Sequence, residues 1–220
     1  MGHHWRIIGE TGFRFFGKMS ASISHDIKNV LAIINENAGL LEDITLMEAK
    51  GIPVDPERIK TIAGKIKRQI QRADKIVKNM NRFAHSVDET LGNIDLGELL
   101  ALVAALSERS ASMRCVTLRP EPLSGPVIMR GNPFLLENLV WRCLDFAMDR
   151  AGERKIIGLV AEKVEKGVQI RFTGLAGLSE GSRTAFPAER EKALFALLKA
   201  DFKADEVAGE LVVTVPAEGG

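Results

Sequence analysis

The stretch KMSASISHDIKNVLAIINENAGLLEDI, residues 18–44, decides how this chain folds. Its Ile23, Ile27, Val30, Ile34, Asn37, Leu41 and Ile44 recur at alternating spacings of four and three, the rhythm by which a helix packs into a bundle. The spacing predicts one long helix over about residues 11–49. His25 falls between two stripe positions, so its ring points away from the seam, toward water. Asp26 is its neighbour, and Asn29 lies one helical turn further along the same face.

Outward from this helix, Gly51-Ile52-Pro53 ends it, and Asp55-Pro56 is a cap followed by a first-position proline. A second helix to about Val87 follows, with Ile59, Ile62, Ile66, Gln69, Ala73, Ile76, Met80 and Phe83 again in threes and fours. Ile70 and Val77 widen that stripe beyond a two-helix seam. The expectation is a homodimer whose two hairpins make a four-helix bundle. The alternative is a single hairpin packed on the C-terminal half. Basic residues crowd the second helix, among them Lys65, Arg68, Arg72, Lys75, Lys78 and Arg82, against Glu57 and Asp74. Such a flank either steers an acidic partner or is simply a solvated face. Upstream, Trp5, Ile7, Ile8, Phe13, Phe15 and Phe16 form an apolar lead-in, read as an extra helix or the stub of a longer sensor protein.

The texture changes after Asp88, which divides the chain into a helical-hairpin domain, 1–88, and a second domain, 89–220. Asp95 caps a helix over 96–108, and Asn132-Pro133 caps another to about Met148. Cys115 to Arg119 reads as a strand. Ile156–Val164 and Val168–Phe172 read as a hairpin turned at Lys166-Gly167. Ala188–Lys199 is a predicted helix and Glu210–Val215 a closing strand. Helices and strands mix without a repeating parallel β-α-β unit, which predicts a small two-layer α/β sandwich. The fold class is therefore α plus α/β.

With 220 residues, 45% hydrophobic and 27% charged, and a net charge of +1, the chain is large enough for real cores. The charge balance gives no reason to expect nucleic acid. No apolar run is long enough to cross a bilayer, and no secretion signal opens the chain. Cys115 and Cys143 make no disulfide framework and suit a reducing, cytoplasmic setting.

At an outward helix site, a carboxylate such as Asp26 can accept a hydrogen bond from Nδ1 of His25, leaving Nε2 as a nucleophile. An acyl phosphate or nucleotide γ-phosphate is a sensible electrophile. Positioning supplies most of the catalysis in phosphoryl transfer. A His-Asp pair on a helix is, in isolation, more often just a solvated face. His3, His4 and His85 sit at no ligand spacing from His25, so no metal site is expected. No P-loop, nucleophile elbow or CxxC pair is present.

Residues 18–44 resemble the phosphoacceptor box of two-component sensor histidine kinases, within their dimerisation and phosphotransfer domain. The resemblance implies that His25 carries the phosphoryl group and Asp26 assists its transfer. It also implies that Asn29 aligns a water for dephosphorylating a partner receiver. Lys28 is a further catalytic candidate, neutralising the charge in transit. Val30 departs from the pattern, standing where many members have proline.

In that family a helix resembling GNPFLLENLVWRCLDFAM (131–148) carries asparagines that hold magnesium and ATP phosphate. Aligned on its hydrophobic pattern, Arg142 and Phe146 take those positions, and neither ligates magnesium. Asn138 survives nearby, one turn out of register. After the strand VQIRF (168–172), Thr173 replaces the acid that reads adenine, and Gly177 alone keeps its place. The stretch Ser179–Ala188 is short for a glycine-rich lid. The expectation is a degenerate ATPase-like domain binding no cofactor, against the alternative of a divergent working kinase. The resemblance thus points closest to the kinase-derived dimeric histidine phosphotransferases. It predicts a pseudo-histidine kinase relaying phosphate between His25 and the aspartates of response-regulator receiver domains. Mg2+ would enter with the receiver. The alternatives are an ATP-dependent sensor kinase fragment or regulator phosphatase, and a non-catalytic dimeric scaffold sequestering a regulator.

Overall fold

A computed structural model describes residues 2–123, 125–178 and 186–216. The first helix, α1 (Gly2–Ala49), and the second, α2 (Pro56–His85), form the hairpin. The chain divides into two compact units, Ser20–Arg82 and Met1–Met19 with Phe83–Gly220.

In the first unit the helices join through a tight cap. Gly51 takes φ 77, a left-handed conformation that glycine adopts without penalty. The Gly51 N–H donates to the Glu48 carbonyl and the Ile52 N–H to that of Met47. At the start of α2 the Asp55 carboxylate accepts from the Glu57 N–H at 3.0 Å, and Pro56 occupies the first turn. Ile23, Val30, Asn37, Ile44 and Ile62 are buried along the seam.

The second unit is a two-layer α/β fold. Strands β1 (Gly92–Asp95) and β3 (Ile128–Gly131) pair antiparallel as a two-stranded sheet. A five-stranded sheet has the order β2-β4-β5-β7-β6. Its members are β2 (Thr117–Pro120), β4 (Ile156–Val164), β5 (Gly167–Thr173), β6 (Asp201–Asp205) and β7 (Glu210–Pro216). Only β2 and β4 run parallel. Period-two alternation buries Ile157, Leu159, Ile170, Phe172, Leu211 and Val213. Helix α3 (Leu96–Met113) is capped by Asp95, and α4 (Pro133–Asp149) by Asn132, whose side chain accepts from the Leu135 N–H. A short α5 (Glu189–Leu197) precedes β6.

The beginning of α1 belongs to this second unit. Phe15 is fully buried, edge-on to Phe83 and 5.3 Å from the Trp141 ring of α4. The Lys18 ammonium lies over the same indole at 4.9 Å.

Several boundaries differ from the sequence reading. Helix α1 starts at Gly2 instead of near residue 11, and Ile8 of the added stretch is buried. Helix α2 stops at His85, whose ring pairs with Asp88 at 2.8 Å. Helix α3 continues to Met113, five residues past the expected end, with Ala111 buried in its last turn. Strand β2 begins at Thr117, since Cys115 has φ 55 and cannot join a ladder. Helix α5 spans only Glu189–Leu197, because Lys199 turns to φ 50 and leads into β6. Strands β1, β3 and β6 were not expected. Each is short, β1 and β6 are rich in polar residues, and all three take their structure from a pairing partner.

Cys143 of α4 is fully buried, and burial pushes its thiol pKa far upward. The native state therefore holds this proton after the unfolded chain has released it, and stability must fall as pH rises. Above the ordinary thiol value of about 8.5, the free energy of unfolding should drop by about 1.4 kcal/mol per pH unit relative to Cys143→Ala. Urea titrations of both proteins between neutral and alkaline pH measure it. Parallel pH profiles for the two would contradict the burial of this thiol.

Candidate functional site

His25 sits in the middle of α1, between the buried Ile23 and Val30. Those two neighbours turn inward, which turns the imidazole outward, and its side chain is 44% exposed. On one side of the ring Nδ1 has two polar neighbours. The Asn29 amide nitrogen is 3.3 Å away, and the Asp26 carboxylate oxygen 3.6 Å away. The second distance is longer than a hydrogen bond. Among the described residues Nε2 has no hydrogen-bond partner. Lys28 and Asn29 are exposed.

Asp26 was expected to hold Nδ1 and Asn29 to act on a group carried by the ring. Instead Asn29 is the closer neighbour of Nδ1, with Asp26 behind it. Amide oxygen and nitrogen occupy interchangeable positions. Turned over, the Asn29 amide accepts from Nδ1–H, and the lone pair then resides on Nε2. Along α2, Lys65, Arg68, Arg72 and Lys75 are exposed. Asp74 binds the Lys78 ammonium at 2.8 Å and raises its pKa above the ordinary lysine value.

The second unit holds the positions that the resemblance assigns to a nucleotide, and two of them, Arg142 and Phe146, pack against the chain's own residues. Arg142 pairs with Glu191 of α5 at 3.3 Å, and the two side chains are only 16% and 8% exposed. Burial lowers the Arg142 pKa, with the Glu191 carboxylate opposing it. Glu191 also accepts from the Ala188 N–H at 3.1 Å, which fixes its carboxylate. Phe146 stacks on Phe186 at 4.6 Å and 14°, and the Arg150 guanidinium lies over its ring. Magnesium requires oxygen ligands, and neither Arg142 nor Phe146 offers one. The guanidinium charge that could meet a phosphate is already answered by Glu191. Asn138 is fully buried, and neither amide atom has a hydrogen-bond partner among the described residues. Thr173 ends β5, opposite Gly158 of β4, and Gly177 holds φ 66. Arg142 and Phe146, at the positions the resemblance assigns to magnesium ligands, do not fit that metal. The expected lid, Ser179–Ala188, lies largely outside the described residues.

Glu191, Phe186 and Arg150 were not singled out in the sequence. Glu191 is separated from Arg142 by 49 positions, and spacing within one helix cannot reveal such a pair. Among the described residues no group of three His, Cys, Asp or Glu could hold a metal ion. No helix among them is long and apolar enough to cross a membrane.

Comparison with known proteins adds a family match. Residues 17–88 match the His Kinase A (phospho-acceptor) domain. Among curated proteins none matches the chain. Among solved structures, the histidine kinase AdeS of Acinetobacter baumannii is similar at 11% identity and TM-score 0.49, covering 88% of this chain and 98% of that one. The ATP binding domain of PrrB from Mycobacterium tuberculosis is similar at 17% identity and TM-score 0.46, covering 60% of this chain and 100% of that one.

Removing one partner of a buried pair leaves an uncompensated charge, whereas replacing both by apolar groups is close to neutral. Glu191→Gln, which retains an acceptor for the Ala188 N–H, should cost about 3 kcal/mol of unfolding free energy. Arg142→Met combined with Glu191→Leu should recover most of that loss. Urea denaturation of the three proteins decides it, and an unaffected single variant would mean the pair carries no load.

Proposed function

We propose that this chain is a dimeric histidine phosphotransferase of the two-component kind, a pseudokinase that relays phosphate through His25. The observation that carries this reading is the outward imidazole, whose Nδ1 lies 3.3 Å from the Asn29 amide and 3.6 Å from the Asp26 carboxylate, with Nε2 without a partner among the described residues. The His Kinase A match over residues 17–88 supports it.

The Nε2 lone pair attacks the phosphorus of an aspartyl phosphate on a receiver domain. The N–P bond forms as the acyl P–O bond breaks, and the aspartate leaves as a carboxylate. Positive charge developing on the ring is met by Asp26 and, with the Asn29 amide turned over, by its oxygen accepting from Nδ1–H. Lys28 offsets the negative charge of the phosphoryl group in transit. Passing that group to a second receiver reverses the same bonds. Magnesium is brought by the receiver, whose aspartate pocket is acidic, and the basic face of α2 favours the encounter.

Leu31, Leu46, Ile59, Ile70 and Val77 are exposed on the lone hairpin, three of them by more than half. Apolar side chains in such number along a stalk favour burial against another helix pair. A second copy of the chain supplies that pair as a four-helix bundle.

A receiver carrying radiolabelled aspartyl phosphate should label the chain. The label should be acid-labile and alkali-stable, and a second, unphosphorylated receiver should remove it. His25→Gln should abolish the label, and Asn29→Ala should slow transfer roughly tenfold to hundredfold by freeing the ring. A His25→Gln chain that labels as well as the unaltered one would refute the assignment. A chain that binds receivers tightly yet never labels would mark it as a scaffold.

A further inference from the structure

Midway along the hairpin seam two amides stand where apolar residues belong. The buried positions of α1 repeat every seven residues as Ile23, Val30, Asn37 and Ile44, and Asn37 is only 5% exposed. On α2 the same seven-residue step runs through Ile62, Gln69, Ile76 and Phe83. Ile44 and Ile62 are the buried pair nearest the turn. One step of about 10 Å away from that turn, α1 arrives at Asn37 and α2 at Gln69. The antiparallel helices therefore carry these two amides at one level.

Their hydrogen bonding is incomplete. The Asn37 amide nitrogen donates to the Ile33 carbonyl at 2.7 Å within its own helix. The Asn37 Oδ1 and the Gln69 Oε1 are both buried and have no partner among the described residues. A seam that needed only stability would carry isoleucine or valine here, as it does one step to either side. Buried amides that lack partners are costly, yet this chain holds two at the same height.

We propose that Asn37 and Gln69 form a polar layer completed by a second copy of this chain, which fixes the register and the two-chain stoichiometry of the bundle. This rests on the dimer reading above. With two copies aligned, four side-chain amides meet at one level and their spare N–H groups supply donors to the waiting carbonyl oxygens. A copy shifted by one seven-residue step sets each amide against isoleucine, valine or their equivalents and leaves it unsatisfied. A lone polar residue in an apolar seam selects register and oligomeric state in this way, at some cost in stability. The occupant of the exposed apolar flank is thereby the chain's own copy. A different helical partner would have to match an amide at the same height.

Sedimentation equilibrium on the full chain over a range of concentrations tests this, with circular dichroism reporting helix content. The unaltered chain should be a single dimeric species. Asn37→Leu and Gln69→Leu, each leaving one amide facing a leucine, should weaken the dimer at least tenfold. The double variant should dimerise as tightly as the unaltered chain or more so, while populating additional oligomers. Single variants that form discrete dimers with undiminished affinity would overturn the layer and leave the dimer standing. An unaltered chain that stays monomeric throughout would remove the dimer reading itself. Should a single variant lose its helix content, recovery in the double variant supports the layer, and a double variant equally unfolded overturns it.

Discussion

Helix α4 meets three neighbours within its own chain, and the second unit is organised by those contacts. Toward α1 it offers Phe134 and Trp141, which hold the Phe15 ring, and Asp145, which faces Lys18 at 4.0 Å. Toward α3, Asp145 and Asp149 receive Arg114 at 2.9 and 2.8 Å. Toward α5 and its approach, Arg142 meets Glu191 and Phe146 meets Phe186. Leu139, Cys143 and Leu144 are fully buried beneath. A side chain can fill a given volume only once.

In the proposed function, these contacts separate two tasks that a kinase would combine. The hairpin presents an imidazole because its seven-residue seam leaves His25 between inward positions. The second unit, closed by its own aromatic and ionic contacts, gives the start of α1 and the end of α2 a packed foundation through Phe15, Phe83 and Trp141. In the proposed function, phosphate must then reach His25 from outside the chain, and the exposed cations of α2 favour an acidic donor.

The sequence was informative where structure is local. The two helices of the hairpin, the caps Asp95 and Asn132, and the β4–β5 hairpin all follow from spacing and capping chemistry within a few residues. The outward setting of His25 follows from the same periodicity. Long-range pairings were hidden. Strand β6 carries Asp201, Lys203 and Asp205 and exists because β7 pairs with it. The lead-in is helical in spite of Gly9, Gly12 and Gly17, because tertiary burial of Phe15 outweighs weak helix propensity. At the site, residue identities alone indicated that Arg142 and Phe146 are poor magnesium ligands. The partners that fill the space, Glu191 and Phe186, lie more than thirty residues away along the chain. The engagement of Asn29 with Nδ1 depended on a side-chain rotamer that no spacing rule fixes.

The claim at the centre is that phosphate on His25 does not come from a nucleotide held by this chain. Calorimetric titration of the full chain with Mg·ATP measures it most directly. The account predicts no saturable heat up to millimolar nucleotide. Stoichiometric binding at micromolar concentration would contradict it, and would mean that the contacts of Arg142 and Phe146 open to admit a ligand.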